Sequence, residues 1–477
     1  MKIRDFARLA TVLCVVVAAL SLTACGNRPY KTTVNQFAGR PVPPSLLTSR
    51  VMVSVANSGN FGSSGSLAIL DSKRDIRNNV YNVNSTFSIS GFAANYATRI
   101  INYPEQLSGY VYGSADGSLT TVDYSGEKTA GSTASLNGRA SDLAVPQDGS
   151  IVLAALETAG ILEVIDKGAL APGTYALPIP GIYKVAMNPS HTVMLAMTRN
   201  TNDLYRIIKL NANQPPPPNN IACQPLNLPV YCAVSVAGSF DRPISAYFSL
   251  DGSQAYILSC GRECGGNAAS VSFLTLDALR IDNYAPAAPV TATVPVPGGV
   301  TAALSDGNTL YVSGQQLQTD GLFAGNLSTI SLASRTVTGQ YSISDGTHTK
   351  MLFGDNSTLW IGSADCATGE RQAHKLNYNC LTRFDLTKNA AAIVPAVDPT
   401  SSTSKVPYPN EDQNLLYYGS LTGLCWVQGY NKMYTAYGGQ VHVFSTVDGS
   451  EIDNTYVTVQ GIALDVAYLD STTNAAN

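Results

Sequence analysis

A repeated pattern of paired apolar runs constrains the fold of this chain more than any other feature. Each repeat is a short apolar run, a turn with Asp-Gly or Asn, and a second apolar run, which is typical of a tight β-hairpin. The pattern occurs at D-L-A-V-P-Q-D-G-S-I-V-L-A-A-L (142–156), K-V-A-M-N-P-S-H-T-V-M-L-A-M-T (184–198), S-A-Y-F-S-L-D-G-S-Q-A-Y-I-L-S (245–259), T-A-A-L-S-D-G-N-T-L-Y-V-S-G (301–314) and K-M-L-F-G-D-N-S-T-L-W-I-G-S (350–363). A third apolar run usually follows, and the spacing of roughly 40 to 60 residues fits one four-stranded propeller blade with its loops.

The two ends of this repeat region predict how a ring of blades would close. The segment G-I-A-L-D-V-A-Y-L-D (461–470) reads like a first strand with no second strand after it. Conversely, S-R-V-M-V-S-V-A-N-S (49–58) reads like a second strand that lacks a first. Pairing the two removes sheet edges that would otherwise invite aggregation. We therefore expect an all-β fold over residues 49–470, a β-propeller of about eight four-stranded blades closed by the C-terminal strand, although seven blades also fit the spacing.

The segment S-D-G-N-T-L-Y-V-S (305–313) and the repeat period resemble the YVTN-type β-propeller repeat, a close relative of the lactonase-like propellers. The resemblance covers nearly all of the mature chain and implies the propeller fold. It says little about activity, because one fold hosts many functions. The signatures of WD40 blades and the tryptophan-rich repeats of quinoprotein propellers are missing from a chain with 2 Trp.

The N-terminus predicts export and a lipid anchor. The basic residues Lys2, Arg4 and Arg8 precede an apolar run at 9–20 that is too short for a membrane span of about 20 residues. The run ends in S-L-T-A-C-G (21–26), which resembles a bacterial lipobox with Cys25 as the lipidated residue. An ordinary secretory leader with a chance cysteine is the alternative.

The resulting organisation has a signal peptide at 1–24, a lipidated N-terminus and tether at 25–48, and a disordered tail at 471–477. Lipoproteins of this kind carry several acyl chains, so the resemblance implies stable membrane anchoring through Cys25. Gly26 follows the cysteine, which implies an extracytoplasmic location at the outer membrane or cell surface.

Composition agrees with an exported protein that has no nucleic-acid partner. Charged residues make up 13% of the chain and the net charge is −4, so no basic patch offers a footprint for nucleic acid. Of the 9 cysteines, six fall into close sequence pairs, which predict three disulfides in an oxidising compartment: Cys223–Cys232, Cys260–Cys264 and Cys366–Cys380. Zinc is the competing interpretation, and Cys425 is expected to be a buried free thiol.

Long loops on one face of the predicted propeller are the candidate binding surface. Loops after second strands and between blades share a face, and they include 260–270, 315–326, 364–380 and 398–418. Long structured loops are often functional. The alternative is that these loops are neutral insertions that the propeller scaffold tolerates. The loops carry a polar cluster that suits an envelope protein, a peptide-like partner or a glycan: Arg262, Glu263, Glu370, Arg371, His374 and Tyr378.

No catalytic motif stands out, and we expect no cofactor and no metal site. The chain has 4 His, and no two of them have the spacing of metal ligands. The favoured function is a lipid-anchored binding or scaffold module at the cell envelope. A lactonase-like hydrolase with carboxylates and a His at the channel mouth is the first alternative, and a redox or cofactor-bearing propeller is the second.

Overall fold

The structure is a computed structural model that describes residues 39–56, 66–77, 88–90, 92, 97–168, 172–211, 214–285, 288–366, 380–394, 420–453, 457 and 459–474. Within these ranges the chain forms 34 β-strands and no α-helix. Four short 3-10 helices cover Pro104–Gln106, Glu157–Ala159, Gly261–Cys264 and Asp277–Leu279. None of the helices in the described ranges has the length and hydropathy that crossing a bilayer requires.

The strands form eight antiparallel sheets, each of which is one blade of a propeller. Blades are numbered along the chain, and strands are given from the channel outward. Blade 1 contains β34 (Ile462–Tyr468), β1 (Arg50–Ala56) and β2 (Ser66–Asp71), and both β3 (Ile76–Arg77) and β4 (Ser88–Ile89) pair with β2. Blade 2 contains β5 (Ala97–Tyr103), β6 (Ser108–Gly113), β7 (Ser118–Asp123) and β8 (Lys128–Ser135), and blade 3 contains β9 (Asp142–Ala144), β10 (Ile151–Leu156), β11 (Ile161–Asp166) and β12 (Gly173–Pro178). Blade 4 contains β13 (Ile182–Met187), β14 (Met194–Thr198), β15 (Leu204–Lys209), β17 (Tyr231–Ser235) and β16 (Asn220–Gln224).

Blades 5 to 8 each have four described strands. Blade 5 contains β18 (Pro243–Phe248), β19 (Gln254–Ser259), β20 (Ser270–Thr275) and β21 (Val290–Pro295), and blade 6 contains β22 (Ala302–Ser305), β23 (Thr309–Leu317), β24 (Phe323–Ser331) and β25 (Thr336–Ser342). Blade 7 contains β26 (Thr347–Gly354), β27 (Thr358–Ala364), β28 (Leu381–Asp385) and β29 (Ala390–Val394). Blade 8 contains β30 (Leu421–Val427), β31 (Lys432–Tyr437), β32 (Gln440–Ser445) and β33 (Glu451–Asp453). The sequence prediction of an all-β propeller is confirmed, with eight blades rather than seven.

The C-terminal strand closes the ring as predicted. Strand β34 pairs antiparallel with β1, with Val51 opposite Tyr468 and Val53 opposite Val466. It therefore takes the innermost position of blade 1, while β1 takes the second position. One blade is thus built from both ends of the described chain.

Among the described residues, eight hydrophobic clusters each lie between two adjacent blades, and a ninth lies in the outer part of blade 4. Strand β10 shows why the sequence has continuous apolar runs. The odd positions Ile151 and Leu153 pack against blade 4, and the even position Val152 packs against blade 2. Since successive side chains of a strand point to opposite faces, a blade buried on both faces needs apolar residues at every position.

A buried ion-pair cluster fastens the closure. Arg50, which is 1% exposed, donates from Nε and Nη2 to the two carboxylate oxygens of Asp470 at 3.0 and 2.8 Å. Its Nη1 donates to Glu127 Oε1 at 2.9 Å and to the carbonyl oxygen of Tyr124 at 2.7 Å. Burial alone would lower the pKa of Arg50, but the two carboxylates raise it above its ordinary value. The guanidinium therefore stays charged and joins blade 1, blade 2 and the C-terminal segment.

Both segments that flank the propeller region pack on the ring over part of their length. In the predicted tether, the Ser45 N–H donates to Glu127 Oε2 at 2.7 Å and Leu47 is buried. In the predicted tail, Ser471 is buried and donates to Gln428 Oε1 at 3.1 Å. Described residues of the predicted tether and of the predicted tail therefore contact the ring. Residues 1–38 and 475–477 lie outside the described residues.

The three predicted disulfides are confirmed. Cys223–Cys232 joins β16 to β17, Cys260–Cys264 closes a short loop of blade 5, and Cys366–Cys380 closes a loop of blade 7. Cys425 is a free thiol buried between blades 8 and 1, and burial raises its pKa.

The loops divide between two faces of the ring. Loops between second and third strands, and those between consecutive blades, form what we call the stapled face, which carries the cystines at 260–264 and 366–380. Loops between first and second strands, and between third and fourth strands, form the hairpin face. The Pro-rich run at 214–219 leads from the hairpin face to β16, an extra outer strand that the sequence did not predict.

Deletion of residues 461–477 should abolish cooperative folding, because it removes an innermost strand and leaves the edge of β1 unpaired. The lost side chains include Val466, Tyr468 and Leu469, each contributing about 1.5–3 kcal/mol when buried. Thermal unfolding and light scattering would show aggregation or a broad, shallow transition. Deletion of 475–477 alone serves as the control. A 461–477 deletion that stays monomeric and melts like the parent would contradict the closure.

Candidate functional site

A cystine loop on the stapled face positions a buried carboxylate. Gly261–Cys264 forms one 3-10 turn that the Cys260–Cys264 bond closes at its base. Glu263 projects from this turn toward blade 6, where it accepts hydrogen bonds from the Gln315 N–H at 2.8 Å and from Gln315 Nε2 at 3.2 Å. Gln315 Oε1 in turn accepts from the Gly346 N–H at 3.3 Å. One chain of hydrogen bonds therefore connects blades 5, 6 and 7 at this face.

A small cavity lies beside this carboxylate, between blades 5 and 6. Its volume is about 240 Å³, and its lining includes Arg262, Glu263, Asn267, Gly298, Gly299 and Gln315. A Cβ at Gly299 would lie 1.9 Å from Glu263 Oε2, so the absence of a side chain there makes room for the carboxylate. The cavity is thus shaped by backbone and glycine around one acidic group.

The environment of Glu263 changes its protonation. Desolvation raises the pKa of Glu263 to about 7, and the two hydrogen bonds from Gln315 only partly oppose this effect. The carboxyl group therefore changes charge near neutral pH. A desolvated carboxylate of this kind can bind a cationic group or exchange a proton.

The structure describes two of the six predicted binding-face residues. Arg262 is exposed at the edge of the cavity, and its Nε donates to the carbonyl oxygen of Asn267 at 3.1 Å. Glu263 contacts Gln315 and is less exposed than the sequence suggested. The other four, and the loop predicted at 398–418, lie outside the described residues: Glu370, Arg371, His374 and Tyr378.

The loop predicted at 315–326 is mostly strand. Strands β23 and β24 pair out to Leu317 opposite Phe323, which leaves a turn at 318–322. The Gln318 N–H donates to the Leu322 carbonyl oxygen at 2.8 Å and completes that turn. Polar Gln residues in this segment concealed the continuation of the hairpin.

The described innermost strands contribute two ion pairs to the central channel. Arg99 of β5 contacts Asp142 of β9 at 2.7 Å, and the second oxygen of Asp142 accepts from the Val185 N–H at 3.2 Å. Lys350 of β26 lies 3.6 Å from Asp465 of β34. These residues come from four different blades, and sequence reasoning missed them because no spacing links them along the chain.

A second cavity, of about 610 Å³, occupies the channel toward the hairpin face. Arg99 and Asp142 line it together with an aromatic and aliphatic wall that includes Ile101, Tyr103, Met187, Tyr247 and Phe248. A cavity of this volume with an apolar wall and few polar groups has the character of a small-molecule site.

The described histidines have structural surroundings. His348 is buried, its Nε2 lies 2.8 Å from the Ser344 carbonyl oxygen, and burial lowers its pKa to about 4. His442 is buried with Nδ1 2.6 Å from Glu451 Oε1, and His191 occupies a left-handed turn position. Within the described ranges, no group of three or more His, Cys, Asp or Glu side chains could hold a metal ion.

Comparisons with known proteins support the fold. No protein-family model and no curated protein matches the chain. Among solved structures, dihydro-heme d1 dehydrogenase NirN in complex with DHE is 15% identical, with a TM-score of 0.54 over 91% of this chain and 78% of that one.

Two further solved structures have lower TM-scores. Kuenenia stuttgartiensis hydrazine synthase is 16% identical, with a TM-score of 0.44 over 72% of this chain and 94% of that one. The β-propeller domain of Myceliophteria thermophila Cps50 (Swd1) is 9% identical, with a TM-score of 0.45 over 73% and 96%. At 15% identity the likeness to NirN concerns the fold alone. The eight blades are read from this chain's own sheets.

Proposed function

We propose that this protein is a lipid-anchored, extracytoplasmic propeller that binds an envelope partner through its stapled face. The observation that carries the proposal is the Glu263 cavity, a preformed concave site whose acidic group is held by a cystine loop and a neighbouring blade. The partner chemistry that fits is a basic side chain or amine presented by a protein or peptide-like segment.

The proposed extracytoplasmic location is inferred from the N-terminal sequence and from the disulfides. The S-L-T-A-C-G segment at 21–26 is the basis for lipidation at Cys25 and for anchoring at the outer membrane or cell surface. Three disulfides within the described residues favour an oxidising compartment. We also assign the blades to the YVTN type, since S-D-G-N-T-L-Y-V-S (305–313) forms the hairpin turn of β22 and β23, where Asp306 Oδ1 accepts from the Asn308 N–H at 2.9 Å.

The rigidity of the site favours binding. A disulfide restricts the loop before the partner arrives, so less conformational entropy is lost on association. The hydrogen-bond chain through Gln315 to Gly346 fixes the same surface from a second and a third blade. A partner group that enters the cavity would therefore meet a carboxylate already in position.

A lactonase-like hydrolase acting at the channel is the second candidate. The 610 Å³ cavity and its aromatic wall favour it. Against it, both oxygens of Asp142 are engaged, by Arg99 and by the Val185 N–H, which leaves this carboxylate poorly placed to act as a base. A cofactor-bearing propeller has its support in the fold likeness to NirN, whose solved structure contains DHE.

Substitution Cys25→Ser should release the protein from membranes, because the proposed lipid is attached to that thiol. Membrane fractionation and mass spectrometry of the mature N-terminus measure this directly. Cys14→Ser, in the leader, is the matched control and should leave both readouts unchanged. Full membrane retention of C25S, together with a parent N-terminus free of lipid, would refute the anchor.

Partner binding can be tested with a photo-crosslinking residue at Thr319, which is exposed in the turn at 318–322. Cells carrying this probe should yield one discrete adduct, and Arg262→Glu should reduce it at least about tenfold by altering the edge of the Glu263 cavity. Lys388→Glu, an exposed charge reversal on the hairpin face, is the control. Equal adducts from R262E and K388E would place the binding surface elsewhere.

The raised pKa of Glu263 predicts a pH-dependent effect of Glu263→Gln. The folded-state pKa of about 7 exceeds the ordinary value of 4.5, so the folded state binds more protons than the unfolded state between these pH values. The free energy of unfolding of the parent therefore falls as pH rises through this window, and that of E263Q does not. At about pH 8 the variant should be more stable by about 1–3 kcal/mol, less than the full pKa difference implies because the side chain is partly exposed.

Urea unfolding at about pH 4 and about pH 8 measures this difference. Glu105→Gln, which removes the same charge from an exposed position, is the control and should show no such pH dependence. A stability difference between E263Q and the parent that is the same at both pH values would contradict the assigned protonation.

A further inference from the structure

The hairpin face carries several exposed apolar side chains. Among the described residues, ten large hydrophobic side chains are exposed, and four of these lie in strands. The other six lie in described loops of the hairpin face: Val42, Leu46, Leu226, Leu228, Leu250 and Val447. Of the four in strands, Leu317 and Ile462 lie at strand ends on the stapled face. Single exposed apolar residues are common on soluble proteins, but Leu226 and Leu228 are exposed together in one loop.

The strand order fixes this assignment. Leu250 lies between the first and second strands of blade 5, and Val447 between the third and fourth strands of blade 8. Leu226 and Leu228 precede β17, which begins opposite the end of β15, with Lys209 paired to Tyr231.

The most exposed of these side chains lie in a loop of the hairpin face that a disulfide closes. Leu226 is 81% exposed and Leu228 is 72% exposed, in the segment P-L-N-L-P at 225–229. The Cys223–Cys232 bond joins the two strands immediately behind this segment. Because the disulfide fixes two exposed leucines in place, this loop favours contact with a partner surface that would cover them.

The chain also reaches the hairpin face from the proposed anchor. The described chain enters at Gly39 and crosses this face, where Arg40 Nη2 donates to the carbonyl oxygens of Ser471 at 2.6 Å and Pro104 at 3.1 Å. Val42 and Leu46 are exposed along this path. Between Cys25 and Gly39 lie only 13 residues, which span at most about 50 Å when extended.

The arrangement suits a planar partner. The six side chains belong to blades 1, 4, 5 and 8, so they are distributed around the ring instead of forming one compact patch. A bilayer surface can contact several separated points on one face at once, and interfacial affinity increases with the apolar area buried. A compact protein partner would need those side chains to be adjacent.

We propose that the hairpin face lies against the lipid bilayer, with Leu226 and Leu228 inserted at the membrane interface. This orientation rests on the lipid anchor proposed above. It directs the stapled face and the Glu263 cavity away from the membrane, toward the partner. The channel cavity then opens toward the membrane surface.

The orientation is tested with the full lipidated chain in phosphatidylcholine vesicles that contain brominated acyl chains. Leu228→Cys and Thr319→Cys each receive a bimane probe, one on each face, since the native free thiol Cys425 is buried. The probe at residue 228 should be blue-shifted and quenched at least about fivefold more strongly than the probe at 319. Equal quenching, or stronger quenching at 319, would overturn the proposed orientation.

A second measurement tests the bilayer contact separately from the lipid anchor. The unlipidated Cys25→Ser chain should partition weakly onto vesicles. Adding Leu226→Ser and Leu228→Ser to this chain should weaken the partitioning by about tenfold. Ile452→Ser, on an outer strand, is the control and should leave the partitioning unchanged. No effect of the leucine substitutions would refute the bilayer contact. Absence of lipid on Cys25 in the parent would instead refute the proposed anchor, whatever the vesicle result.

Discussion

The pairing of β34 with β1 is the constraint on which the rest of the molecule depends. It places the chain's last described strand at the innermost position of the blade that the N-terminal part begins. The Arg50 guanidinium, buried between Asp470 and Glu127, holds the two ends and the next blade together. Removing one partner of such a buried pair typically costs about 3–5 kcal/mol, because the remaining charge is left in a low-dielectric interior. The closure therefore requires all three residues together.

A closed ring gives every blade a neighbour on both sides, and the function we propose follows from that geometry. Eight apolar layers between blades make the ring rigid, so that loops on either face are held by a common scaffold. On the stapled face, blades 5 and 6 together hold Glu263 beside a cavity. On the hairpin face, short turns and exposed leucines give a surface suited to a bilayer. In the function that we propose, one face lies toward the anchor and the other binds the partner.

Most of the fold could be predicted from the sequence, because its signals are local or concern the chain ends. Hairpin turns mark the blades, and the unpaired segment at 461–470 predicted the closure. Close cysteine spacing predicted the cystines. The extra strand β16 could not be predicted, since a disulfide and a Pro-rich connection add it to an already complete blade. Glu263 was named as a surface residue, and its desolvation comes from Gly299 and Gln315 on another blade. Contacts between blades leave no spacing signal, which is why the channel ion pairs were also missed.

Native-state hydrogen exchange of the backbone amides can show whether β34 is an integral strand of the closed ring. If β34 closes the ring as an integral strand, its amides should open only when the whole propeller unfolds. Their exchange should then report the same opening free energy as the amides of β19, a buried strand of blade 5 far from the closure. Exchange of β34 amides that is faster than that of β19 by orders of magnitude would show that the C-terminal strand detaches on its own, and would contradict its role in closing the ring.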